Sequence, residues 1–284
     1  MILIVDSGAT KSDWIALDAK GEQLFMTQTL GLSPEVLTRP VIEDRLANNF
    51  ELSQNREKVT HLYFYGAGCG TDRMKIFLKD IFKVFFPNAE ADVKEDTYAA
   101  IYATTRIGQQ AIVCILGTGS NCSYYDGEQL FQKVASLGYI PMDDGSGNFF
   151  GRKLIRDFYF NKIPKDLATK FENEYNLDAD VIKENLYKQP NPNTYLATFA
   201  RFIVENKNHP YCRGVIDKGF QQFINNYIMQ FDLATKVPIS FVGSIAYYLR
   251  DELSTVLERN DMVVGVIRQR PIEGLVEFHR AAII

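Results

Sequence analysis

Cysteine is scarce in this sequence. There are four in 284 residues, Cys69, Cys114, Cys122 and Cys212, and no two form a C-x-x-C pair. That spacing excludes a disulfide framework and a zinc ribbon. Histidine is rarer still at three residues. His61, His209 and His279 have neither metal-ligand spacing nor a nucleophile pattern beside them, so none is assigned a role. Positive charge is not in excess: 31 Lys and Arg against 35 Asp and Glu leave a net charge of −4. A nucleic-acid partner is therefore not expected, because neutralising phosphates needs a basic face. No apolar run approaches the roughly 20 residues that cross a bilayer. Met1 leads straight into Ile2–Val5 with no basic stretch before a cleavage site, the pattern of a cytoplasmic chain without a secretory leader. What is present is ordinary for a soluble globular protein: 46% hydrophobic and 23% charged residues, with a mean hydropathy of −0.15. The length makes two lobes the default.

An internal repeat organises the chain. Residues 2–28 read as strand (Ile2–Val5), turn (Asp6–Thr10), strand (Asp13–Leu17), tight turn and strand (Gln23–Gln28). Residues 111–135 repeat that order: strand Ala111–Leu116, turn Gly117–Ser120, strand Asn121–Tyr125, an Asp126-Gly127 turn and strand Gln129–Val134. Both third strands open on Gly-Glu-Gln-Leu-Phe, at 21–25 and 127–131. Glycine in the two tight turns accepts the positive φ that hairpins need.

Helices alternating with strands follow each triple strand. The first set is a helix over 34–50, a strand at Val59–Tyr65, a helix over 71–86 and a strand at Ala91–Glu95. The second is a helical run (149–160, 165–174, 181–186, 193–205 and 215–231), then strand Ile239–Val242, helix 244–257, strand Met262–Val266 and a last helix after Pro271. Strand, crossover helix and strand imply an α/β class with parallel pairing and helices on both faces. Two such sheets facing one another would let a ligand touch both hairpin turns. The boundary falls near residue 104, with the last helix returning to the first lobe.

The turns carry the candidate chemistry. Asp6-Ser7-Gly8-Ala9-Thr10-Lys11 leaves a buried strand through small residues, so its backbone N–H groups can face a phosphate while Asp6 holds Mg²⁺; a plain hairpin with an Asx-turn is the alternative. There is no G-x-x-x-x-G-K-[ST] and no helix-opening G-x-G-x-x-G. Gly117-Thr118-Gly119-Ser120-Asn121 packs two glycines, two hydroxyls and a carboxamide into five positions, more than a turn requires. Asp143-Asp144-Gly145-Ser146-Gly147 either caps a helix or meets a ligand through its acids. Asp96 opens a helix straight after a strand, either as a cap or as a carboxylate placed to take a proton in phosphoryl transfer. Gly66-Ala67-Gly68-Cys69-Gly70 and Val242-Gly243-Ser244 are either close-approach loops or tight βα turns.

In this order the turns resemble the actin-like (sugar kinase/Hsp70/actin) ATPase superfamily, nearest to the N-acetylglucosamine kinase branch of the BadF/BadG/BcrA/BcrD ATPases. The resemblance spans Asp6 to the Gly274 region. The family's G-T-G-S-N-C matches Gly117–Cys122 without a mismatch, its D-x-x-A maps onto Asp96 and Ala99, its G-D-E-G-S onto Met142–Ser146, and its V-G-S onto Val242–Ser244. It implies two ribonuclease H-like domains with an interdomain cleft: 1–104 joined by the C-terminal helix 268–284, and 105–267. It implies ATP and Mg²⁺, with Asp6 at the metal. Gly8, Thr10, Lys11, Gly117, Thr118, Gly119, Gly243 and Ser244 would hold the nucleotide, and Asp96 would be the general base. Ser33, Glu35, Gly66, Ser120, Asn121, Gly138 and Asp143 would hold an amino sugar. The implied partners are that small molecule and a second copy in a homodimer, with neither nucleic acid nor membrane. Departures from the pattern cluster on the sugar side: Met142 for glycine, Asp144 for glutamate, Leu137 for tryptophan, and no asparagine in Gly31–Glu35, where Ser33 as N-cap with Pro34 at N1 is also a sufficient structural account. Two rival functions share the scaffold. One is an iron–sulfur activator ATPase, which needs cluster cysteines; the other is a regulator that binds ATP without turning over a small molecule.

Overall fold

Leu3, Ile4 and Val5 of β1 (Ile2–Ser7) are fully buried, so this strand has no solvent face. Leu3 and Val5 join Trp14, Phe64, Leu78 and Phe82 on one side, while Ile4 joins Ile15, Tyr65, Ala99 and Leu275 on the other. A continuous apolar run is what a strand covered on both faces requires. The computed structural model describes residues 1–8 and 11–283, and the chain divides into two compact units, 1–107 with 270–284 and 108–269.

In the first unit β1 pairs antiparallel with β2 (Lys11–Leu17), which pairs with β3 (Gln23–Leu30). On its other edge β1 runs parallel to β4 (His61–Gly66) and β4 to β5 (Glu90–Glu95). The order is β3-β2-β1-β4-β5. The helix Asp72–Phe85 contributes Leu78, Ile81 and Phe82 to one face. The helices Asp96–Thr104 and Pro271–Ile283 cover the other, crossing so closely that a Cβ on Gly274 would sit 2.5 Å from the Ala103 carbonyl oxygen.

The second unit repeats the plan with β6 (Ala111–Leu116), β7 (Ser120–Tyr125), β8 (Leu130–Phe131), β9 (Ile239–Val242) and β10 (Val264–Arg268) in the order β10-β9-β6-β7-β8. Counted within each unit, both sheets run third, second, first, fourth, fifth. The tight turns repeat too. Asp18 accepts the Lys20 and Glu22 N–H groups at 2.8 and 2.9 Å, Asp126 those of Glu128 and Gln129 at 2.8 and 2.7 Å, and Gly21 and Gly127 take φ of +80° and +106°. Between β8 and β9 lies a helical insertion whose longest member is Pro210–Asn226; Phe150, Phe202, Phe220 and Phe223 build its core.

Boundaries differ from the sequence reading where local capping wins. The helix read over 34–50 begins at Arg39, with Thr38 at the N-cap and Pro40 in its first turn, and stops at Ala47. Asn49 then caps a separate helix, Phe50–Asn55, by accepting the Leu52 N–H at 3.1 Å. Pro34–Val36 form only a turn, closed by the Leu37 N–H on the Ser33 carbonyl at 3.1 Å, so Ser33 caps no helix. The strand read at 129–134 is two residues long, because Gln132 and Lys133 beyond it are exposed and have no apolar face to bury. The strand read at 262–266 begins at Val264: Met262 is held back by its N–H on the Leu257 carbonyl at 3.1 Å, with Asp261 left-handed at φ +58°.

Candidate functional site

Asp6 is the next-to-last residue of β1, and the strand register sets Asp13 of β2 directly opposite it. Asp13 is paired: its carboxylate accepts the Lys11 ammonium at 2.8 Å and the Gln28 amide. The Asp6 carboxylate makes no side-chain hydrogen bond or ion pair with a described residue. Burial, then the nearby Asp96 and Asp13 charges, push its carboxyl up to about 7, with Lys11 pulling the other way. A carboxylate held above its ordinary range by burial and like charges gains from a divalent cation, so the residues fit Mg²⁺. Ser7 ties the surrounding turns together. Its hydroxyl accepts from Ser12 Oγ at 2.7 Å and Leu32 N–H at 3.2 Å, and its carbonyl accepts the Ala67 N–H at 2.9 Å. Gly8 closes the hairpin on the Lys11 carbonyl at 2.9 Å. Ala9 and Thr10, the phosphate-turn residues between them, lie outside the described residues.

Asp96 is the first residue of the helix Asp96–Thr104, directly after β5, and is only half-buried. Burial and the neighbouring Glu95 raise its carboxyl to about 6, against the helix N–H groups that favour the charge. The Asp96 charge is one of those that raise Asp6. Around it the fold gathers the Gly31–Glu35 and Gly66–Gly70 loops. A Cβ on Gly68, which has φ +80°, would meet Ser33 Oγ at 2.5 Å and the Glu35 stem at 3.4 Å, and one on Gly70 would meet the Glu95 carboxyl at 3.7 Å. Gly66 is fixed by the Phe64 ring, into which a Cβ would project. Ser33 and Glu35 thus pack on the Gly66–Gly70 loop, and Cys69 within that loop is raised by Asp96, Glu95 and Glu35 together, which places all three acids near it. Glu95, and Asp13 and Gln28 beside Asp6, are neighbours that sequence reading passed over. Extending the hairpin pairing outward from Gly8 and Lys11 would have found Asp13 opposite Asp6, and Gln28 opposite Asp13.

In the second unit the hairpin Gly117–Ser120 is closed by the Gly117 N–H on the Gly119 carbonyl at 3.0 Å. It is fastened to the helix Gly147–Tyr159 by Gly147 N–H to Gly117 O at 2.8 Å and Asn148 N–H to Thr118 O at 2.9 Å. Asp143, left-handed at φ +69°, turns its carboxylate under the hairpin, accepting the Ser120 N–H at 3.2 Å and Asn148 Nδ2 at 2.8 Å. A Cβ on Gly119 would sit 2.7 Å from that carboxylate. Neither acid caps the helix; Ser146 does, through the Phe149 N–H. Asp144 instead reaches Gln222 and Asn226. Gly138 has φ +81° and accepts the Met142 N–H at 3.1 Å, and Asn121 lies half-buried on β7.

Gly243 follows β9 at φ +127°, where a Cβ would be driven into the Leu116 carbonyl group and the Gly117 nitrogen. The V-G-S turn and the glycine hairpin are thus packed against each other inside one unit. Ser244 beside it lines a cavity of about 520 Å³ with Ala197, Ala200, Val204, Ile245 and Tyr248.

No protein-family model and no curated protein matches the chain. Among solved structures, a Porphyromonas gingivalis protein described as "Putative N-acetylglucosamine Kinase" superposes with a TM-score of 0.92 at 32% identity, over 100% of both chains. A Chromobacterium violaceum protein of the same description gives 0.70 at 15% identity, over 98% of this chain and 99% of that one. A ROK family glucokinase from Streptomyces griseus, in complex with glucose and AMPPNP, gives 0.60 at 14% identity over 97% of each. The last two share the fold alone: α/β, with two mixed five-stranded sheets of the actin-like kind.

Proposed function

This chain is a kinase of the same family as the Porphyromonas gingivalis protein, and from that premise we propose that it transfers the γ-phosphoryl group of ATP to a hydroxyl of an amino sugar, N-acetylglucosamine or a close relative. The observation that carries the reading is Asp96, a half-buried carboxylate at a helix start, raised to about 6 and close enough to Cys69 of the Gly66–Gly70 loop to raise its thiol.

Asp96 is mostly ionised at neutral pH, and its raised value makes it a better proton acceptor for the attacking hydroxyl than an ordinary aspartate. Ser33, Glu35 and Gly66 receive the sugar beside it. Asp6 would hold Mg²⁺ through water, and the ion would supply charge neutralisation at the phosphates. Gly8, Thr10 and Lys11 contact phosphate oxygens from the first unit, Lys11 leaving or sharing Asp13 to do so. In the second unit the hairpin around Gly117 offers the Thr118 and Gly119 N–H groups to phosphate while the Gly117 N–H closes the turn, and Gly243 and Ser244 admit the nucleoside to the cavity that Ser244 borders. Ser120, Asn121, Gly138 and Asp143 face the sugar, Asp143 through the remaining lone pairs of a carboxylate already fixed by Ser120 and Asn148.

The iron–sulfur alternative fits poorly. All four cysteines are buried, and burial holds Cys69 up at about 12 and Cys212 at about 11, away from the thiolate that iron needs.

A phosphorylation screen of amino sugars with wild type and Asp96→Asn tests the reading. We expect turnover of at least one amino sugar by wild type and its near-complete loss in the variant. Near-full turnover by Asp96→Asn overturns the base assignment, and an inactive wild type overturns the substrate class.

A further inference from the structure

We propose that the C-terminal end of the helix Pro210–Asn226, through Gln222, Asn226 and the following Tyr227, positions the glycine hairpin Gly117–Ser120 that the second unit offers to phosphate. As a statement about nucleotide binding this rests on the function proposed above. No sequence motif marks these three residues. They converge on the Asp143–Asp144 turn. Asp144, 8% exposed, accepts Gln222 Nε2 at 2.9 Å with one carboxylate oxygen and Asn226 Nδ2 at 2.7 Å with the other. One residue earlier, the Asp143 N–H donates to the Tyr227 hydroxyl at 3.2 Å, and that hydroxyl also neighbours Ser120.

The turn cannot relax into another shape while these bonds hold. Asp143 and Gly145 are both left-handed at φ +69°, the Asp143 carbonyl accepts Ser146 Oγ at 2.7 Å, and a Cβ on Gly145 would meet Phe223 Cβ at 3.1 Å. The Asp143 side chain then carries the constraint forward to Ser120 N–H and Asn148. Each aspartate thus faces a different element, Asp144 the helix and Asp143 the hairpin, and the peptide between them transmits position from one to the other. Buried carboxylates fix the geometry of the groups they bond because leaving either partner unmatched is costly. Gln222, Asn226 and Tyr227 act through Asp143 and are positioning residues.

The test compares wild type, Tyr227→Phe, Asn226→Ala, and the swap Asp144→Asn with Asn226→Asp, which rebuilds the hydrogen bond with its polarity reversed. Gly214→Ala, on the same helix with open space around it, is the control. Amide hydrogen exchange of the 117–121 segment is read without ligand. We expect it to quicken about five- to twentyfold in Tyr227→Phe and Asn226→Ala, the range of one lost buried hydrogen bond. It should stay at the wild-type rate in Gly214→Ala and return toward it in the swap. In kinetics, KM for ATP rises by a similar factor while kcat changes less than twofold. Unchanged exchange in 117–121, or faster exchange spread evenly over the second unit, overturns the proposal. Should wild type take up no AMPPNP with Mg²⁺ in titration, the nucleotide reading falls instead, and the exchange rates still decide the clamp.

Discussion

Asp6 and Asp13 stand directly opposite each other on β1 and β2, and only Asp13 has a cation, Lys11 at 2.8 Å. Burial first, then the Asp96 charge and the like charge of Asp13 across the strand pair, keep the proton on Asp6 up to about pH 7 instead of the ordinary 3.8. Over that interval the native state binds more protons than the unfolded chain, so stability falls as pH rises and the loss is complete above about 7. Asp6→Asn removes the penalty. The variant should be more stable than wild type by about 1–3 kcal/mol at pH 8, with the advantage shrinking toward pH 4. Urea unfolding at pH 4, 6 and 8 measures this, and a pH-independent difference would show that Asp6 is not burdened in this way.

Asp96 sets the acid limb of activity. The sugar kcat/KM should climb with pH and level off above an apparent pKa near 6, a value belonging to the coupled Asp6–Asp96 pair. Glu95→Gln removes a charge that raises Asp96, so the limb should move to lower pH with the plateau largely kept. Asp96→Asn should cut kcat by about 10²–10⁴ with folding intact. Initial-rate profiles from pH 5 to 9 report all three; an unmoved limb in Glu95→Gln removes Glu95 from the account.

Two glycines of the second unit should respond in opposite directions. Gly243→Ala forces a left-handed φ on a side chain and pushes its Cβ into the Leu116 carbonyl group; a loss of about 2–4 kcal/mol is expected, together with loss of nucleotide binding. Gly214→Ala meets nothing within 4 Å in the middle of a helix and should stabilise by about 0.5–1 kcal/mol. Thermal melts with and without AMPPNP distinguish them.

The four thiols should be silent in the native protein. Cys114 and Cys122 are paired residues of β6 and β7 with sulfurs 3.5 Å apart, both free and buried. Iodoacetamide should label none of the four until the chain unfolds, and anaerobic preparations should carry no stoichiometric iron. Rapid native labelling at Cys69 or Cys212 would contradict the burial described.

What the sequence made legible was local and repeated. Gly-Glu-Gln-Leu-Phe marked both third strands because the same hairpin, capped by Asp18 or Asp126, precedes each. Asp96 stood out as a carboxylate at a strand end opening a helix, a place a cap also explains; the structure sets Glu95 at the N-cap and Asp96 one residue inside the first turn. Less visible were contacts made at long sequence distance. Tyr227 meets Asp143 across 84 positions, and His279, pushed down to about 4 by burial, meets Tyr65 across 214. Helix breaks at Asn49 and Leu249 escaped for a different reason: the apolar spacing continues through them, divided only by the Asn49 side-chain cap and by the non-helical backbone at Leu249 (φ −110°, ψ 27°).

The first sheet is sealed by the helix Pro271–Ile283, which follows the whole second unit in sequence and is wedged through Gly274 against Ala103. On the ribosome, Ile4, Ile15, Tyr65 and Ala99 must therefore wait uncovered while all of 108–269 emerges. The half of the molecule that starts second can finish folding first, and a nascent chain stopped short of residue 270 would present an open apolar sheet to chaperones and proteases.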